Sequence, residues 1–245
     1  MSRMARIEKF ANPTRFLRLQ EAVTPWLAVI TAVLFVVGLY YSFVKAPADY
    51  QQGETVRIMF IHVPAAWGAT MVYGFMALSS AIAIIFRHPL ADLSAKAAAP
   101  IGAVFTFLAL VTGALWGKPM WGTYWVWDAR LTSFFVLFLL YLGYMAVWQA
   151  IDDYHRAAKI AAIVALVGAI NVPIIKFSVD WWNSLHQPSI ISSSGSSVHS
   201  SILIPLLIMV AAYSFLFLTL HLLAIRSELR KRKIQQIQLA QAQKV

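Results

Sequence analysis

The chain of 245 residues contains no cysteine. Disulfides, thiolate metal sites, iron–sulfur clusters and cysteine nucleophiles are therefore excluded. Charge is also scarce: 12% of the residues are Asp, Glu, Lys or Arg, and 10 acidic residues face 20 basic ones. Soluble domains carry about 25% charged residues, which rules out an ordinary globular enzyme, a disordered chain and a coiled coil. Apolar residues make up 60% of the chain, with mean hydropathy +0.69. This composition predicts an all-α integral membrane bundle, one domain over residues 1–245.

In lipid the backbone must satisfy its own hydrogen bonds, and a helical crossing takes about 20 apolar residues. Six stretches qualify: 26–44, 58–86, 97–116, 131–151, 160–179 and 202–225. The second is longer than one crossing needs. Its start is expected at the surface, with Pro64 in the first turn, where a missing N–H is harmless. The fifth is the weakest, because it reaches Lys176 early; that side chain is expected to snorkel to the interface. The apolar run of the first exceeds the about 7–15 residues of a signal peptide, so it reads as an uncleaved anchor despite Ala46-Pro47-Ala48. The only low-complexity piece is the serine-rich 192–201.

Basic residues set the expected orientation. Fifteen fall on one side of these spans, while Lys45, Arg57, Lys118, Arg130 and Lys176 fall on the other. The positive-inside rule then predicts cytoplasmic N and C termini in a multi-pass membrane protein. The net charge of +10 follows from this topology and from attraction to the lipid bilayer's headgroups, with no nucleic acid required. The tail 226–245 is expected in the cytoplasm, with a short surface helix within 227–245.

Three external loops follow, at about 45–58, 117–130 and 180–201. Of nine tryptophans, Trp116, Trp121, Trp125, Trp127, Trp181 and Trp182 flank or occupy two of them. An interfacial aromatic belt explains tryptophan at a membrane surface, but a belt is roughly symmetric and this set is one-sided. The alternative is a binding surface for a flat, polarisable ligand, stacked on indoles. Lys118 and Arg130 are candidate partners for its carboxylates, with Asp128 orienting Arg130 or the indole N–H groups. Three of the six histidines, His62, His186 and His199, belong to this half. Two of them fit axial ligation of a haem iron through neutral imidazole nitrogen, with His186 and His199 competing for one place. An electron-transfer cytochrome b would need histidines at membrane depth, where only His221 lies. An ABC permease would need a partner's ATPase, because Gly113 to Pro119 lacks the phosphate-loop spacing.

The run Trp121-Gly122-Thr123-Tyr124-Trp125-Val126-Trp127-Asp128 resembles the tryptophan-rich WWD signature, W-G-x-x-W-x-W-D, of a haem-handling superfamily. Within it, the chain resembles the CcmC family of bacterial cytochrome c maturation. Ala46-Pro47-Ala48-Asp49-Tyr50, Ile61-His62-Val63-Pro64-Ala65-Ala66, Gly117-Lys118-Pro119-Met120 and Trp181-Trp182-Asn183-Ser184-Leu185-His186 support the likeness, which runs from about 25 to 187. The resemblance implies that His62 and His186 are the axial ligands of haem b, and that Arg57 and Arg130 meet its propionates. It further implies that Trp116, Trp121, Trp125, Trp127 and Asp128 belong to a periplasmic platform. The expected role is presentation rather than enzymatic turnover. Haem would pass to the chaperone CcmE, in a complex with the ABC transporter subunits CcmA and CcmB and the small membrane protein CcmD.

Overall fold

The computed structural model describes residues 13–88, 90–186, 191–192, 195–196 and 198–242. Helix α1 (Pro13–Tyr40) opens on a proline, whose fixed φ suits a first turn, and ends in a wider turn at Tyr41–Lys45. A short turn of helix, Glu54–Ile58, leads into α2 (Met59–Phe86). Helices α3 (Ala91–Trp121) and α4 (Ala129–Ala150) follow, then α5 (Tyr154–Gly168), α6 (Asn171–Trp181) and α7 (Ser200–Ala242). Six helical stretches are long and apolar enough to cross a membrane, α5 and α6 together forming the fifth. The only paired strands among the described residues are two residues long, Ile191–Ser192 against Gly195–Ser196.

Four local outcomes differ from the sequence expectations. Pro64 is the sixth residue of α2, not in its first turn, and is buried. The external loop expected at 117–130 begins later, because α3 continues through Trp121. It stops at Gly122, whose φ of 75° is a left-handed cap that glycine adopts without strain. The fifth span is broken at Ala169–Ile170: Pro173 has no N–H to offer the carbonyl of Ala169, and its ring crowds that carbonyl. The last span and the tail form one helix of 43 residues, about 65 Å at 1.5 Å per residue, rather than a span and a separate surface helix. No glycine or proline follows Pro205 to interrupt it. The segments 1–12 and 243–245, which hold Arg3, Arg6, Lys9 and Lys244, lie outside the described residues, as does part of 192–201.

Lipid tails are as apolar as leucine, so close packing and polar contacts must hold such helices together. Alanines 95, 98, 99, 161 and 165 are almost fully buried and let α3 and α5 approach their neighbours. The large buried rings of Tyr73 and Tyr141 meet edge to face at 5.0 Å, and the Tyr141 hydroxyl donates to the Ala69 carbonyl at 2.8 Å. A Cβ at Gly168 would strike the Tyr73 hydroxyl. Thus α2, α3, α4 and α5 pack around a tyrosine core, with α1 lying against α7. Below the break, α5 holds to α2; beyond it, α6 stays with α4 and barely touches α2. A cavity opens between them.

Candidate binding cavity

The cavity has a volume of about 540 Å³ and lies among α2, α3, α4 and α6. That falls within the about 300–1,000 Å³ usual for small-molecule sites. His62, Trp67, Trp125, Arg130, Lys176 and His186 contribute its aromatic and polar lining, the rest being mainly aliphatic.

His62 stands in the first turn of α2. Its Nδ1 is 3.0 Å from the Ala109 carbonyl and 3.2 Å from the Thr112 hydroxyl. The carbonyl can only accept, so Nδ1 carries the proton and Nε2 keeps its lone pair. Gly113 makes room for the ring: a Cβ there would sit 2.8 Å from His62 Cε1. The Trp116 ring meets the imidazole at 5.7 Å, and its N–H donates to Gln52 at 2.9 Å.

His186 follows α6 and is oriented by Asp128, 58 residues earlier. Its Nδ1 lies 3.2 Å from Asp128 Oδ2, the Ser184 hydroxyl donates to that oxygen at 2.5 Å, and Trp121 closes over the ring at 4.8 Å. Burial pulls the imidazole pKa down, and the bond and charge of Asp128 only partly restore it, so the net shift is below the ordinary value. Burial raises the carboxyl of Asp128, but the donors Ser184, the Leu131 N–H and His186 outweigh it and leave it below its usual value. At neutral pH the pair is therefore carboxylate and neutral imidazole. Nδ1–H again faces the acceptor, and Nε2 again has the free lone pair. An acid that orients a histidine through its far nitrogen is the usual support of a metal-binding imidazole.

Asp128 thus corrects one expectation. It orients neither Arg130 nor an indole: Oδ1 caps α4 by accepting from the Leu131 N–H at 2.7 Å, and Oδ2 serves His186. Arg130 donates instead to the Ser178 hydroxyl at 3.2 Å and to the Lys176 carbonyl at 3.5 Å.

Of the anticipated site residues, His62, Trp125, Arg130 and His186 line the cavity. Trp116, Trp121 and Asp128 stand directly behind the two imidazoles. Trp127 is exposed, packing on Trp125 at 5.4 Å. Arg57 is outside the lining, held by Glu54 at 2.5 Å and the Ser42 carbonyl at 2.9 Å. Trp181 and Trp182 are exposed, as an interfacial belt requires. His199 is exposed and bonded to Ser201 at 2.9 Å, away from the cavity. Trp67 and Lys176 were missed as lining residues. The sequence signals were there, since Trp67 is five residues beyond His62 and Lys176 is the lone charge in its span.

Among the described residues, no three His, Cys, Asp or Glu side chains converge as a metal site. Two imidazoles with bare Nε2 atoms instead suit a metal that brings its own equatorial ligands. The buried indole N–H of Trp125, without an acceptor among the described residues, suits a ligand bearing acceptor oxygens.

The family described as Heme exporter protein C matches residues 6–240. The chain belongs to this family. It is 61% identical over 236 residues to the Heme exporter protein C of Bradyrhizobium diazoefficiens, covering 96% of this chain and 89% of that one. The Paracoccus denitrificans Heme exporter protein C is 44% identical over 230 residues, 93% and 95% of the two chains. A putative cytochrome c biosynthesis ccmC-like mitochondrial protein of Marchantia polymorpha is 52% identical over 183 residues, 75% and 78%. The family is the one that the WWD run resembles.

Proposed function

We propose that this chain handles haem for cytochrome c maturation by holding haem b in the cavity and presenting it to a chaperone. The relatives' names, heme exporter and cytochrome c biosynthesis protein, support the coarse role. One observation carries the finer reading: two imidazoles from α2 and the loop after α6, each tethered through Nδ1, line one cavity, and neither Nε2 has a partner among the described residues. Haem is the cargo, and its four pyrrole nitrogens leave two axial places for such a pair. The tryptophans behind the rings exclude water and restrict their tilt. The loop between Gly122 and Asp128 is the natural approach for CcmE, with CcmA, CcmB and CcmD completing the export complex. The cavity end is the sparsely basic one, which supports a periplasmic site and cytoplasmic termini. The chain performs no turnover of its own in this reading.

The test is the absorption spectrum of the purified protein. Wild type is expected to carry a bis-imidazole haem band. His62→Ala and His186→Ala are each expected to lose most bound haem and chaperone loading. Unchanged haem content and unchanged loading in both variants would overturn the assignment.

A further inference from the structure

Five basic side chains belong to the cavity end of the bundle, and three are already engaged. Lys45 lies over the Tyr40 ring at 5.8 Å. Arg57 is held by Glu54 and the Ser42 carbonyl. Lys118 closes the end of α3, donating to the Gly122 carbonyl at 2.9 Å and lying over Tyr124 at 5.2 Å. None of these three lines the cavity.

Arg130 and Lys176 do line it, and neither has a carboxylate within 4.0 Å among the described residues. Asp128 and Asp180 act on Arg130 only from farther away. The Arg130 guanidinium reaches the backbone carbonyl of Lys176 at 3.5 Å, so the two residues belong to the same stretch of cavity wall. Snorkelling accounts for an exposed lysine near a membrane surface. It does not by itself account for an exposed lysine and a half-buried arginine that both line one mostly apolar cavity, where a ligand's carboxylates would meet two cations with no carboxylate within 4.0 Å among the described residues.

We propose that Lys176 is a carboxylate-binding residue of this cavity, acting beside Arg130 on the acidic edge of the ligand. This rests on the haem reading above, where the ligand is an amphipathic disc with two propionates on one edge. The α4–α6 side of the cavity then receives the charged edge, while the apolar edge points toward Val63 and Ala66 of α2. The break at Ala169–Ile170 has a role in this: by swinging α6 away from α2 and along α4, it brings Lys176 beside Arg130.

The experiment titrates full-length protein in detergent with haem b and with haem dimethyl ester, whose propionates are esterified. For haem b, Lys176→Gln is expected to weaken binding by about tenfold, the scale of one charge-assisted hydrogen bond, with the bis-imidazole band unchanged. For the dimethyl ester, the same variant is expected to bind within twofold of wild type. Lys176→Arg is expected to restore haem b binding. Equal weakening for both porphyrins, or no weakening for either, would overturn the role of Lys176 while leaving the haem reading intact. Failure of wild type to bind either porphyrin would overturn both.

Discussion

Where α3 begins and α7 leaves the bundle, four basic side chains have carboxylate partners within the chain. Lys96 pairs with Glu228 at 2.7 Å and lies over Trp148 at 4.9 Å. Lys231 reaches the same glutamate at 3.2 Å, and Arg226 lies 3.9 Å from Glu21. Arg232 sits 3.9 Å from Asp92 and packs on Tyr154. Where α3 ends, Arg130 and Lys176 face a cavity without such partners among the described residues, and two histidines are held through Nδ1. Paired charges fasten helices to one another. Under the proposed function, the charges and histidine lone pairs on the cavity wall serve what enters it.

Altering what holds the histidines tests that contrast most severely. Asp128→Asn keeps an oxygen for the α4 cap, but that oxygen cannot also accept from His186. Haem affinity is expected to fall about 10–100-fold, the usual cost of removing a ligand's outer support, with helix content unchanged by circular dichroism. A smaller loss would mean that Trp121 and Ser184 suffice to orient the ring.

Acidification probes the same group more gently. The pKa of His186 lies below the ordinary imidazole value of about 6.5, so its lone pair persists as pH falls through neutrality. Haem affinity is expected to be flat from pH 8 to about 6.5 and to fall only below that, approaching tenfold per unit once the pKa is passed. Folding follows the same sign: the unfolded chain takes the proton first, so stability is full above about pH 6.5 and declines below it. A Soret titration across pH with the midpoint above 6.5 would contradict a neutral, carboxylate-supported imidazole.

The other end should hardly respond in the haem assay. Lys96→Ala is expected to leave haem affinity within twofold and to cost about 0.2–1 kcal/mol, the range of partly exposed pairs. Faster hydrogen exchange in α7 over 226–233 is its expected signature. A large loss of haem binding from this variant would show that the two ends are coupled.

Much of the site was readable without coordinates, and the unread parts share a cause. The WWD run stands out because residue type and local spacing carry it, whereas spacing left His186 and His199 in competition and only the family resemblance paired His186 with His62. The partner of Asp128 was misjudged because neighbouring Arg130 is closer in sequence than His186, whereas the cap on α4 turns the carboxylate toward the loop after α6. Lys176 looked like a charge ending a weak span; the proline-induced break in that span gave it a wall of the cavity.

Hydropathy and proline or glycine placement are sums over adjacent residues, so the chain's own order determined six crossings, an all-α architecture and the aromatic loop. Which nitrogen of each histidine is bound and which cations meet a carboxylate depend on contacts between residues 46 to 132 positions apart. Those contacts exist only once the helices have packed, and packing angles are set by side-chain shape across the whole bundle rather than by any single segment.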